Sequence, residues 1–348
     1  MKEGQPFRPA NPTETPGPTG PNPTSWKSLI LNGSGALAAA ALIVVPLWML
    51  LSNPAVPGGH PALPTLLVAA AALGILWALI LVRRWWFGGK QQRSGHISTW
   101  QLVRGIAGRL TVLGFVAALM WLSPFPHQPD REKTVPANGP TATAPAGSKA
   151  ADDATSITLA PAGKATTGLV FYPGARVDAH AYQELLQPLA DAGHLVVILK
   201  PPLGVSLLDT TQARAAMDRH PEIASWAVGG HSLGGVSASS FAAANHDVSG
   251  LLLFASYPAE NMADAQGLPV LSISGSNDGL STPDKIAASR SLLPPTTTYA
   301  TVVGGVHAFF GDYGVQPGDG EPGISRNEAQ QQIVAESLRF MDRLRASG

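Results

Sequence analysis

From residue 29 to residue 82 the chain carries no Asp, Glu, Lys or Arg. Two apolar blocks fill that stretch, residues 28–51 and 63–82, with the turn-rich S-N-P-A-V-P-G-G-H-P between them. Each reaches about 20 residues, the length a helix needs to cross a hydrocarbon core. A signal peptide has a shorter apolar core and is not followed directly by a second one. The pattern predicts a multi-span membrane anchor over residues 28–122, with helices at 28–51, 63–82 and 102–122. The third apolar run, 106–122, is short, so it either spans with Arg104 and Arg109 reaching back to the headgroups or lies as a buried or interfacial helix. Seven of the eight tryptophans precede Pro124. Trp26, Trp48, Trp85, Trp86 and Trp121 fall near block ends, where amphipathic rings favour the membrane–water boundary.

The basic residues give an orientation. Arg83, Arg84, Lys90, Arg93, Arg104 and Arg109 lie between the second and third blocks, and the loop between the first two carries no Lys or Arg. The positive-inside rule places the basic loop in the cytoplasm. Three spans then leave residues 1–27, a Pro/Gly/Thr-rich tail, inside the cell. Everything after the third block lies outside, as a multi-pass protein of the plasma membrane.

Residues 123–154 turn to Pro, Ala, Thr and Gly and predict a flexible linker. Residues 155–348 suffice for one well-filled domain. There, short continuous apolar runs alternate with helical segments. G-L-V-F-Y, L-V-V-I-L, W-A-V-G-G, G-L-L-L-F, P-V-L-S-I and T-T-Y-A-T-V-V read as strands. Buried strands alternating with helices predict an α/β fold, a doubly wound and mostly parallel sheet, preceded by the all-α membrane segment. The formal net charge is zero, and charged residues make up only 13% of the chain. Nucleic-acid binding needs a basic footprint, so it is excluded. With no cysteine, disulfides, thiol nucleophiles and thiolate metal sites are excluded together.

Gly230-His231-Ser232-Leu233-Gly234 matches G-x-S-x-G, follows a strand and precedes a small-residue helix, as a nucleophile elbow requires. Gly230 and Gly234 allow the sharp turn that lifts the Ser232 hydroxyl above the sheet. A serine needs a base to take its proton. Only His246 and His307 follow Ser232. His246 falls at the far end of the elbow helix, whereas His307 follows the last strand, where a loop can return over the elbow. The base needs an acidic partner. Asp278 stands directly after the penultimate strand, while Asp247, Asp264 and Asp284 lie in or beside helices or in a polar loop. Ser232, Asp278 and His307 keep the chain order Ser, Asp, His, each at the C-terminal end of a strand.

With F-Y-P-G-A, G-G-H-S-L-G-G, S-G-S-N-D-G and G-G-V-H-A-F-F-G-D-Y-G in place, the chain from Gly168 onward resembles the α/β-hydrolase superfamily, in particular its compact, lidless bacterial branch related to dienelactone hydrolases. The resemblance does not reach the membrane segment. It implies an oxyanion hole made by the backbone N–H groups of Ala175 and Leu233. Related chains often carry glycine where Ala175 stands. The expected activity is cleavage of small-molecule carboxylic esters, with short acyl groups preferred because the segment between the strands ending near Tyr257 and starting near Pro269 has no room for a lid. No cofactor or metal is called for, and the only other partner is lipid around the N-terminal helices. A lipase or thioesterase on the same fold, or a catalytically silent binding module, are the alternatives. The stretch with Asp312, Asp319 and Glu321 could suggest calcium but lacks the alternating ligands of an EF-hand loop. It reads as a solvated turn bracing the His307 loop. His180 and Tyr182 either line the pocket or start a helix.

Overall fold

The computed structural model describes residues 26–87, 98–129 and 149–347. The tail expected at the N-terminus and most of the expected linker lie outside the described residues. Helices α1 (Trp26–Ser52), α3 (Ala62–Phe87) and α4 (Thr99–Trp121) are each long and apolar enough to cross a membrane. A single turn, α2 (Ala55–Gly58), joins the first two. α4 starts before residue 102 because Ser98 and Gln101 form a reciprocal cap: the Gln101 N–H donates to Ser98 Oγ at 3.2 Å, and the Ser98 N–H donates to Gln101 Oε1 at 3.0 Å. Pro46 sits inside α1 without ending it. α1 packs against both α3 and α4, burying Leu42, Met49, Leu67 and Leu119.

Eight strands form one sheet: β1 (Lys149–Asp152), β2 (Ser156–Ala160), β3 (Thr167–Tyr172), β4 (Leu195–Leu199), β5 (Ser225–His231), β6 (Val248–Phe254), β7 (Val270–Gly275) and β8 (Thr298–Val302). Their order is β1-β2-β4-β3-β5-β6-β7-β8. β1 and β2 are antiparallel; from β4 to β8 every pairing is parallel. The six strands read from sequence are β3 to β8. The antiparallel edge is the part of the sheet that the sequence leaves unmarked: all four β1 residues are exposed and offer no apolar alternation, and β2 is only five residues long. β1 is held instead by pairing, Lys149 opposite Ala160 and Asp152 opposite Ile157. The sheet therefore begins inside the stretch expected to be linker.

Alternation along the central strands divides the core. On β3, Leu169 and Phe171 face the helices α5 (Gln183–Asp191) and α9 (Arg326–Ser347), packing with Leu186, Leu189 and Phe340. Val170 and Tyr172 face α6 (Gln212–Asp218) and α7 (Leu233–Ala244), with Met217 and Phe241. A strand buried on both faces is why these runs are continuously apolar. A further helix, α8 (Pro283–Ser289), follows β7.

The first residues after α4 also depart from the linker expectation. The Phe125 N–H donates to the Arg176 carbonyl at 2.6 Å, and the Asp178 N–H returns to the Phe125 carbonyl at 3.0 Å. The Gln128 N–H donates to the Asp312 carbonyl at 2.7 Å, and the Phe125 ring lies 6.1 Å from Tyr313. Composition carries no sign of this strap, because backbone hydrogen bonds and one aromatic ring hold it rather than an apolar run.

Candidate active site

β5 delivers the chain to Ser232 at the sheet's C-terminal edge, where α7 begins. Ser232 has φ 53° and ψ −124°, a conformation that costs a non-glycine residue about 1–3 kcal/mol. Its neighbours fix it there. The Ser232 N–H donates to the Phe254 carbonyl at 3.0 Å, and Ser256 Oγ donates to the Ser232 carbonyl at 2.6 Å. A Cβ on Gly230 would stand 2.4 Å from the Gly234 carbonyl carbon, and one on Gly234 would stand 2.1 Å from the Tyr172 carbonyl oxygen. Only glycine fits on either side of this turn, which is the physical content of the pentapeptide.

His307 opens a 3-10 turn after β8, and its Nδ1 lies 2.8 Å from Asp278 Oδ2, with both side chains fully buried. The other Asp278 oxygen accepts the Leu280 N–H at 2.8 Å and the Ser281 N–H at 2.7 Å, so the carboxylate is aimed by its own turn. His307 Nε2 is buried and makes no protein hydrogen bond. The Ser232 hydroxyl makes none to it; unliganded nucleophile–base contacts are commonly long. The two loops nonetheless meet, because the His231 and His307 ring centroids are 4.5 Å apart. The other candidates fall elsewhere. His246 is exposed on the turn before β6, Asp247 pairs with Arg214 at 2.7 Å, and Asp284 is in the first turn of α8. Asp264 lies in the connection between β6 and β7.

Ala175 lies on the loop after β3, and Leu233 is the first residue of α7, directly after Ser232. In the Ala175 loop the Gly174 N–H donates to Tyr182 Oη at 2.9 Å, the Arg176 N–H to the Gly204 carbonyl at 2.7 Å and the Val177 N–H to the Gly174 carbonyl at 3.0 Å. No hydrogen bond from the Ala175 or Leu233 N–H is seen among the described residues. Both N–H groups are therefore uncommitted.

Three supports were only partly visible in sequence. Tyr182 Oη, besides accepting from Gly174, lies 2.9 Å from His231 Nδ1. Burial raises the phenol pKa, and burial together with the nearby His307 pushes His231 well below the usual imidazole range. A hydrogen bond between the two neutral groups ties the Ala175 loop to the elbow. Asp319 accepts from the His307 N–H at 3.0 Å, the Ala308 N–H at 2.8 Å, the Gly320 N–H at 2.8 Å and the Gly279 N–H at 3.2 Å. It clamps the Asp278 and His307 loops together, a sharper form of the brace expected there. Arg176, which no motif marks, has φ 59° and places its guanidinium 4.6 Å from the Trp121 ring and 5.0 Å from the Phe125 ring, donating to the Trp121 carbonyl. Among the described residues, no group of three or more His, Cys, Asp or Glu could hold a metal ion.

No curated protein matches the sequence. Among solved structures, a dienelactone hydrolase-like promiscuous phosphotriesterase from metagenomic libraries is similar at 18% identity, over 54% of this chain and 92% of that one, with a TM-score of 0.42. Est1E from Butyrivibrio proteoclasticus is similar at 14% identity, over 57% of this chain and 99% of that one, also with a TM-score of 0.42. Residues 168–332 match the model of the alpha/beta hydrolase family, and the globular part of this chain, with its mostly parallel eight-stranded sheet, has the α/β-hydrolase fold.

Proposed function

We propose that this protein is a membrane-anchored serine hydrolase that cleaves carboxylic esters carrying short acyl groups. The observation that carries the reading is the strained elbow at Ser232 beside the buried His307–Asp278 pair. Ser232 Oγ attacks the ester carbonyl as His307 Nε2 takes its proton. Asp278 Oδ2 holds the Nδ1–H and stabilises the imidazolium. The developing oxyanion is received by the N–H groups of Ala175 and Leu233, preorganised dipoles that need no rearrangement at the moment of reaction. The imidazolium then protonates the leaving alcohol. Water, activated by the same ring, releases the acid and restores Ser232.

The acyl preference follows from what is missing above the site. The connection from β6 to β7 holds no helix among the described residues, so that connection supplies no lid. Each buried methylene would offer about 0.8 kcal/mol, and an open cleft collects few of them. The orientation of the helices, with residues 1–27 inside and the hydrolase domain outside the plasma membrane, is proposed from the basic loop between the second and third helices.

A fluorophosphonate probe on the full chain tests the central claim. Stoichiometric labelling at Ser232, lost in Ser232→Ala together with several orders of magnitude of ester turnover, is the expected result. An unlabelled, inert protein would instead be a silent binding module. A steady gain in efficiency up to long acyl chains would make it a lipase, and a preference for thioesters a thioesterase.

A further inference from the structure

The catalytic edge of the sheet is the edge seated on the helical bundle. The loop after β3 carries Ala175, and its Arg176 caps Trp121, the last residue of α4. The loop after β4 reaches the same end of the bundle, where Leu203 packs onto the apolar cluster of Val56, Leu63 and Leu67. Six residues on, Asp209 faces His60, in the turn joining α1 to α3, whose pKa burial lowers and the Asp209 carboxylate partly restores. The seam between bundle and domain, lined by Val56, His60, Arg176 and Asp178, leaves a cavity of about 30 Å³, room for one or two waters.

Between Leu203 and Asp209 the chain makes one more contact that matters: Ser237 Oγ, on the nucleophile helix α7, donates to Ser206 Oγ at 2.8 Å. The loop therefore bridges the nucleophile helix and the bundle. At its crest Leu207 and Leu208 are 49% and 59% exposed. These two adjacent exposed leucines lie on the same loop as Leu203, which packs at the end of the candidate membrane helices.

We propose that the Leu207–Leu208 crest rests in the membrane–water boundary and that the substrate is an ester whose alcohol part is embedded in the bilayer, its short acyl group entering the open cleft at Ser232. This rests on the serine-hydrolase reading and narrows it to a substrate class. The bond broken is the acyl carbon–oxygen bond to the membrane-held alcohol. Ser232 Oγ replaces that oxygen, His307 returns the proton to the alcohol, which stays in the membrane, and water then releases a short, soluble acid. The shallow cleft meets only the acyl side, so binding energy comes from the bilayer that already holds the other half.

Two measurements on the full chain in phosphatidylcholine vesicles test this. The protein has no cysteine, so Leu208→Cys supplies a single thiol for an environment-sensitive fluorophore, and Ala192→Cys, exposed before β4 at the opposite edge of the sheet, supplies the reference. Nitroxide-labelled lipid should quench the first and spare the second; equal, water-like behaviour at both overturns the proposal. Hexadecyl butyrate in the vesicles should be hydrolysed with about tenfold higher efficiency than ethyl butyrate in solution, the factor carried by about 1.4 kcal/mol. Leu207→Ser/Leu208→Ser should pull that ratio towards one. Ethyl butyrate cleaved as well as or better than hexadecyl butyrate overturns the substrate class while leaving the esterase intact. Failure to label with fluorophosphonate or to cleave either ester would refute the hydrolase reading, and the substrate class with it, whatever the quenching shows.

Discussion

Asp319 touches neither Ser232 nor the ring of His307, yet turnover should depend on it. Its carboxylate receives four backbone N–H groups, two from the His307 loop, one from Gly279 beside Asp278, and one from its own turn. Hydrogen bonds to a charged acceptor contribute about 1.5–3 kcal/mol each when buried. Asp319 is half-buried, so the low end applies, and chain relaxation lets water take some of the freed donors. Asp319→Ala should then destabilise the domain by about 3 kcal/mol. At about 2–4 °C per kcal/mol for a domain of this size, the melting temperature falls by about 6–12 °C. The catalytic consequence is separate. With the clamp gone, the Asp278 and His307 loops can drift apart, and a displacement on the order of 1 Å costs on the order of a hundredfold in rate. The expected result is a kcat lowered about 10- to 100-fold with KM little changed, measured well below the new melting temperature. Asp319→Asn keeps the Oδ1 acceptor for three of the four N–H groups but turns an NH2 towards the Ala308 N–H, so it should fall between. A variant that melts early yet keeps full kcat when folded would refute the reasoning and leave Asp319 as a stabilising turn alone.

Three further outcomes are expected. Arg176→Ala should lower kcat about tenfold, part of the loss seen when an oxyanion donor is removed; Arg176→Gly, which relieves the positive φ, should not rescue it if docking on Trp121 is what positions Ala175. Full activity in both would refute the link. The Asp178 side chain raises the pKa of His180, and Asp152 adds to the shift. A raised folded-state pKa means that the protonated ring contributes stability fully below about pH 6.5, and that this is lost as pH rises through the raised value. Melting followed from pH 6 to pH 9 should show a decline that His180→Gln flattens; a decline unchanged in that variant refutes the assignment. Gly234→Ala should abolish labelling of Ser232, because its methyl group would meet the Tyr172 and Pro173 carbonyl oxygens at 2.1 and 2.4 Å; normal labelling would show that the elbow can move aside.

The parts of this molecule legible in sequence are those where one constraint acts alone. The strands β3 to β8 are buried on both faces, so their continuous apolar runs mark them. The elbow is marked by glycines that the backbone approach demands. The placement of Asp278 and His307 just after β7 and β8 follows from topology, while their catalytic roles are proposed. What stayed hidden depends on partners distant in the chain. β1 has no buried residue and exists only through its pairing with β2. Phe125 looks like linker until Arg176 and Val177 are beside it. Arg176 is an ordinary arginine just past the F-Y-P-G-A motif, and its contacts come from the end of a helix 55 residues earlier. Tyr182 was placed between two readings because sequence cannot show that its hydroxyl reaches both Gly174 and His231.

The strap changes what the N-terminal third contributes. A tether of the kind expected from composition would leave the hydrolase free to tumble, and its oxyanion loop would have to hold itself. Here the Ala175 loop contains a non-glycine residue at positive φ, Arg176, a conformation that costs about 1–2 kcal/mol. The offsetting contacts are the Gly204 carbonyl on one side and Phe125 and Trp121 on the other. Two of those three partners belong to the last membrane-length helix and the strap that leaves it. The domain carries Ser232, His307 and Asp278, but the Ala175 loop, proposed to bear one oxyanion donor, is held in shape from outside the domain. Cutting within residues 130–148 would therefore leave the site intact so long as the strap stays docked, whereas removing residues before 129 would free Arg176 and relax the loop. A fragment beginning at Thr155 should still fold around its own core. By the same reasoning it should turn over esters more slowly than the full chain, the deficit lying in kcat.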